Sequence, residues 1–210
     1  MTDTVTSSST PDAGVRPPRP LAAWLVALLG VVAGVALAVL AYELFLQPPR
    51  PSAVDVGFAQ DMSVHHAQAV DMAELVRDDG ADPDVRRLAV DMELNQQAQL
   101  GQMQGWLDLW DEPNTNPGRA MGWMGMPTEG AMPGMATAEE LRALGVAEGV
   151  AADRLFLELM IEHHAAGVHM AQAAAADATM APARRLAEQM ATSQTSEIVT
   201  LEELLADAGG

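Results

Sequence analysis

Phe58–Ala67 (FAQDMSVHHA) and Phe156–Ala165 (FLELMIEHHA) are one pattern written twice, 98 positions apart. The register continues through Val70/Val168, Met72/Met170 and Ala73/Ala171. A second stretch keeps the same offset: Arg86-Arg87-Leu88-Ala89 against Arg184-Arg185-Leu186-Ala187, then Met92/Met190 and Gln96/Gln194. Two alanine-rich helices share a few identities by chance. They do not share an Arg-Arg-Leu-Ala run and a His-His pair in one register, so the chain carries an internal duplication.

Each copy reads as a helical hairpin. Ser52 caps a helix running to about Asp79, Gly80-Ala-Asp-Pro83 makes the turn, and a second helix runs from about Pro83 to Trp110 with proline in its first turn. In the second copy one helix runs from about Gly149 to Ala176, and Pro182 opens another that ends before Gly209-Gly210. Thr137-Ala-Glu-Glu140 is a capping box that starts a short helix, which Gly145 stops. No alternating β-branched run signals a strand. The expected fold is all-α: an antiparallel four-helix bundle over residues 53–210, with one long crossover loop at 111–137.

Composition narrows the chemistry. The 210 residues hold 11 Lys+Arg against 29 Asp+Glu, a formal charge of −18, which argues against nucleic acid because phosphate binding needs clustered cations. There is no cysteine, so disulfides, zinc ribbons, iron–sulfur clusters and thiol catalysis are excluded together. Any soft metal ligand must come from the 14 methionines. No nucleophile–base pair, phosphate loop or dinucleotide fingerprint appears, and the chain does not read as an enzyme.

The N-terminus is a separate region. Residues 1–20, rich in Ser, Thr and Pro, read as a disordered cytoplasmic tail. Leu21 to Tyr42 carries no charge, and 22 helical residues span roughly 33 Å, enough for a hydrocarbon core of about 30 Å. Arg16 and Arg19 precede the span and Glu43 follows it. By the positive-inside rule, 21–46 reads as a single-pass membrane anchor with its N-terminus in the cytoplasm and the bundle outside the cell membrane; the alternative is a signal sequence cleaved after Ala38 or Ala41. Residues 47–52, containing Gln47-Pro-Pro-Arg-Pro51, form a stiff, helix-breaking linker.

Four of the five histidines that matter here lie in the two His-His pairs. On a helical wheel Phe58, Met62, His65, His66, Ala69 and Met72 share an arc of roughly 120°. Phe156, Met160, His163, His164, Gly167 and Met170 share its counterpart, while His169 falls outside, on the surface. On the partner helices Met92, Gln96, Gln99 and Met103 form one inward stripe, and Met190, Gln194, Glu197 and Leu201 the other. Amides and a carboxylate on a core stripe need partners, which imidazole N–H groups supply. Two readings follow: a metal site, or a metal-free polar layer that sets helix register and makes the bundle a structural or interaction module. His65, His66, His163 and His164 are the candidate metal ligands, with Met62, Met72, Met160 and Met170 as soft partners. Imidazole with thioether and no thiolate points first to copper, as Cu(I), and then to zinc held by four histidines. Met121, Met124, Met126, Met132 and Met135 in the loop form no helical stripe; they read either as a second, exposed Cu(I) site or as a lid packed on the bundle end. Arg86-Arg87 and Arg184-Arg185 read as solvated surface charge rather than a docking patch for a protein partner in metal transfer.

The pattern Phe156-xxx-Met160-Ile161-x-His163-His164-xx-Gly167-Val168-x-Met170-Ala171 resembles the signature of the bacterial domain of unknown function 305. The resemblance covers about residues 54–207, including Met121-Gly-Trp-Met124-Gly-Met126, the aromatic-ended helix with Trp106 and Trp110, and Glu197-Ile198. It implies a ferritin-like fold and, because some relatives are periplasmic copper-binding proteins, a copper-handling role. It does not imply a di-iron centre, since Asp61, Glu158 and Glu162 have no histidine three residues on. The chain departs from exact symmetry at Gln99, where the second copy carries Glu197.

Overall fold

The computed structural model describes residues 20–46 and 49–208. Residues 1–19 of the expected tail at 1–20, the first two linker residues and the last two glycines lie outside the described residues, and Pro20 begins the first helix. The chain divides into two units, Met1–Pro48 and Pro49–Gly210. In the first, α1 (Pro20–Ala41) continues into a π turn over Tyr42–Leu46. Leu21–Phe45 has a mean hydropathy of 2.6 and no buried residue, so by length and composition it can cross a bilayer.

The second unit is an all-helical four-helix bundle, with no strand among the described residues. α2 (Ala53–Asp79) starts at Ser52, whose hydroxyl accepts from the Asp55 N–H while the Asp55 carboxylate accepts from the Ser52 N–H. α3 (Pro83–Trp110) starts at Asp82 with proline in its first turn, and left-handed Asp111 ends it. α4 (Ala138–Leu144) follows the Thr137–Glu140 capping box and stops at Gly145. α5 (Val150–Asp177) and α6 (Ala181–Asp207) complete the set. α2 packs on α3 and α5 on α6, and the two hairpins meet along α2 and α5.

The hairpins are locked reciprocally. Asp55, near the start of α2, accepts from the Thr179 hydroxyl (2.6 Å) and the Met180 N–H (2.9 Å) in the α5–α6 turn. Asp153, its counterpart near the start of α5, accepts from the Ala81 and Asp82 N–H groups (3.0 and 2.8 Å) in the α2–α3 turn. Both carboxylates are buried. Burial acts to raise the Asp55 carboxyl, and the hydrogen bonds from Ser52, Thr179 and Met180 more than reverse it, leaving it below the usual carboxylate range.

The paired arginines are not simply solvated. Arg86 donates to the Gly80 and Ala81 carbonyls at 2.6 and 2.9 Å, and Arg184 to the Ala178 carbonyl at 3.2 Å. Each thus serves the turn just before its own helix, where orphan carbonyls collect. Arg87 keeps the surface role, pairing with exposed Asp84, and Arg185 is likewise exposed.

The crossover loop is docked rather than loose. The Trp123 indole lies on Gly57, where a Cβ would meet it at 2.6 Å, and meets Phe58 edge-on at 5.9 Å. Its N–H donates to Asp61 at 2.9 Å, as does the Met121 N–H at 2.6 Å and the Asn116 amide at 3.2 Å. In the second copy the positions of Gly57 and Asp61 are Leu155 and Leu159. The duplication is broken where α2 receives the loop.

Candidate functional site

The midpoint of the bundle is a layer of imidazoles. His65, His66, His163 and His164 all have zero exposure. The His65 and His163 rings lie face to face across the α2–α5 contact, with centroids 3.7 Å apart and planes 32° apart. Adjacent rings within each pair are 6.5 and 6.2 Å apart, so His66 and His164 turn away toward α3 and α6. His66 Nε2–H donates to the Gln99 Oε1 at 2.7 Å, and His164 Nε2–H to the Glu197 carboxylate at 2.7 Å. His163 Nε2–H donates to the His65 carbonyl at 3.0 Å. The duplicated stripe residues Gln99 and Glu197 thus do the same job, one neutral and one charged.

Three ring protons placed in this way leave three lone pairs. Nδ1 of His66, His163 and His164 has no hydrogen-bond partner, and neither does either nitrogen of His65. Burial away from water, then the mutual repulsion of the imidazoles, favours the neutral ring at His65, His66 and His163. It pushes His66 to about 4, against the hydrogen bond that His66 donates to Gln99, and His163 to about 3; His65 is also held well below the ordinary histidine value. Neutral imidazole with an N–H pinned by a carboxylate, amide or carbonyl oxygen is the form that ligates metal. No group of three or more His, Asp or Glu side chains gathers around one point among the described residues. The four histidines form a layer, and not the four-imidazole shell expected for zinc.

Sulfur lies on both sides of that layer. Met72, Met92 and Met160 are in the core toward one end, with Phe156 and Leu157. Met62, Met170 and Met190 are in the core toward the other, with Phe58. The duplication exchanges the two sets member for member. The second set is enlarged by Met103, where the other copy has Leu201, and by Met121 and Met132 from the loop. Met124 and Met135 are half-buried against the same cluster, and Met126 is 46% exposed. The loop therefore packs most of its sulfur onto the bundle end.

Met92 and Met190 are buried in the same two clusters although the His-His motif does not contain them; their signal was the shared inward stripe. Gln96 and Gln194 on the same stripes are buried with amide oxygens unpartnered. Gly167 brings one of them close: a Cβ there would collide with the Gln194 amide and stand 3.2 Å from His65 Cε1. His169 is exposed, as the wheel placed it.

The Domain of unknown function (DUF305) family model matches residues 55–205. A DUF305 protein from Streptomyces coelicolor is 48% identical, with a TM-score of 0.71 over 75% of this chain and 94% of its own. A DUF305 fragment from Deinococcus radiodurans is 33% identical, with a TM-score of 0.65 over 76% of this chain and 99% of its own. CopM in its Cu(I)-bound form is 25% identical, with a TM-score of 0.58 over 74% of this chain and 98% of its own. No curated protein matches the chain.

Proposed function

The chain belongs to the DUF305 family, and from that premise we propose that it is a membrane-anchored, extracytoplasmic copper-binding protein that sequesters the ion or passes it on. The observation that carries the reading is the set of buried, neutral imidazole nitrogens left without partners at the bundle centre, with methionine sulfur on either side. Leaving such a group unpaired costs on the order of 1–3 kcal/mol, so a layer of several is retained for a ligand. His65, His66, His163 and His164 would offer imidazole nitrogen to the ion and Met62, Met72, Met160 and Met170 would offer thioether, the donor types that suit Cu(I). Exposed Met126 and the half-buried Met124 and Met135 would form a second, exposed Cu(I) site, separate from the histidine layer, for capture or transfer. The α1 span supports anchoring. CopM solved with Cu(I) bound supports the choice of metal.

The competing reading, a hydrogen-bonded layer that only sets register, accounts for the His66–Gln99, His164–Glu197 and His163–His65 bonds. It gives no role to either nitrogen of His65. The test is competition for Cu(I) against a chelator, using the full chain in detergent. Joint His65→Ala and His163→Ala replacement weakens binding at least roughly tenfold, equivalent to about 1.4 kcal/mol. Unchanged affinity in that variant refutes the central site.

A further inference from the structure

The histidine layer has one polar flank. Between α3 and α6 lies a cleft of about 190 Å³ whose walls are Asn95, Gln96 and Gln99 on one side and Gln189, Gln194 and Glu197 on the other. The space is large enough for several waters or for one ion with part of its shell. Gln96 and Gln194 are 4% and 2% exposed, and they hold the same position in the two copies. Both amide atoms of Gln96, and the amide oxygen of Gln194, lack partners. The half-buried Gln99 and Glu197 of the same lining accept from the Nε2–H groups of His66 and His164. Glu197 is the single charged residue among those walls, and no cation faces it there.

We propose that this cleft is the port through which a copper ion reaches the histidine layer. The amide oxygens of Gln96, Gln99 and Gln194 and the Glu197 carboxylate replace its waters in turn. The proposal rests on the copper-binding reading above. Oxygen donors hold soft Cu(I) weakly, so such a lining strips the ion without trapping it, and the nitrogen and sulfur beyond are preferred. The one negative charge admits cations over anions. Gln194, lying over Gly167 beside His65, links the lining to the inner ring pair.

The test narrows the mouth without touching a histidine. Asn95 and Gln189 are exposed rim residues on opposite walls, so Asn95→Trp and Gln189→Trp, singly and together, leave the core intact. The full chain in detergent is mixed with Cu(I) carried by a weak chelator, and uptake is timed. Release into a strong chelator is timed separately, and the equilibrium affinity is measured for each variant. A port slows uptake and release by the same factor, roughly tenfold or more for the double variant, and leaves affinity unchanged. Wild-type rates in the double variant overturn the port while leaving copper binding intact. A change in affinity with uptake unaltered also overturns it, since the cleft then acts on the site and not the path. If the wild-type chain takes up no Cu(I), the copper reading itself fails, and the port with it.

Discussion

Asp61 shows how one side chain can decide a loop. It is 2% exposed, and three donors from the crossover loop converge on its carboxylate. Asp61→Ala leaves the Met121 and Trp123 N–H groups buried without an acceptor, at a cost of about 3 kcal/mol. Urea unfolding reads that loss, and Trp123 emission moves to the red as the indole leaves Gly57. A wild-type melt with unmoved emission would show that sulfur packing alone holds the loop. The histidines set a pH dependence at the same scale. His66 and His163 fall to about 4 and about 3 in the folded chain, against an ordinary value near 6.5. Between these limits the unfolded chain binds more protons than the folded one. Stability of the metal-free protein is therefore full above about pH 6.5 and falls as pH drops from there toward 4. Melting temperatures across that window check the sign, and a flat profile contradicts it. Competition between protons and copper is correspondingly delayed to pH values well below 6.5.

Among the elements, the two turns are each capped by the other hairpin. Asp55→Ala or Asp153→Ala removes two or more hydrogen bonds to a buried carboxylate and costs about 2–3 kcal/mol. Copper affinity stays at the wild-type value in either variant, because neither carboxylate reaches the histidine layer. Loss of affinity together with stability would mean that the clasp also sets the site. Much at this scale was legible in the sequence. The constant offset fixed four helices, and Ser52, Pro83 and the Thr137 capping box marked three starts where the structure has them. The His66–Gln99 and His164–Glu197 pairings follow from facing stripes. Asp55 and Asp153 escaped notice although they share the offset, because an acid in a first helical turn already has a local explanation. The loop's seat was illegible for a different reason. Gly57, Asp61 and Trp123 meet across a non-repeating segment, and periodicity carries no information about such contacts. The aim of each ring was likewise hidden, since a wheel places side chains on a face and leaves their tertiary partners open.

At the scale of the whole molecule, charge and sulfur are both unevenly assigned. The chain carries a formal −18, and its loop-side core holds six of the buried methionines against three at the other end. Anchoring is tested here: an alkaline wash leaves the full chain in the membrane pellet, and deleting residues 21–46 moves the bundle to the supernatant. Release of the undeleted chain by the wash would rule out a retained span. The reciprocal clasp reaches further than stability. A lone hairpin made of residues 49–112 would carry a carboxylate with no turn of its own to bind and a turn with no carboxylate to close it. Both lacks are remedied at once by a second copy turned end for end, so the half-chain is built to seek its own likeness. The present chain is then a homodimer whose two subunits have been spliced onto one thread, free ever since to let one half keep Gln99 and the other Glu197.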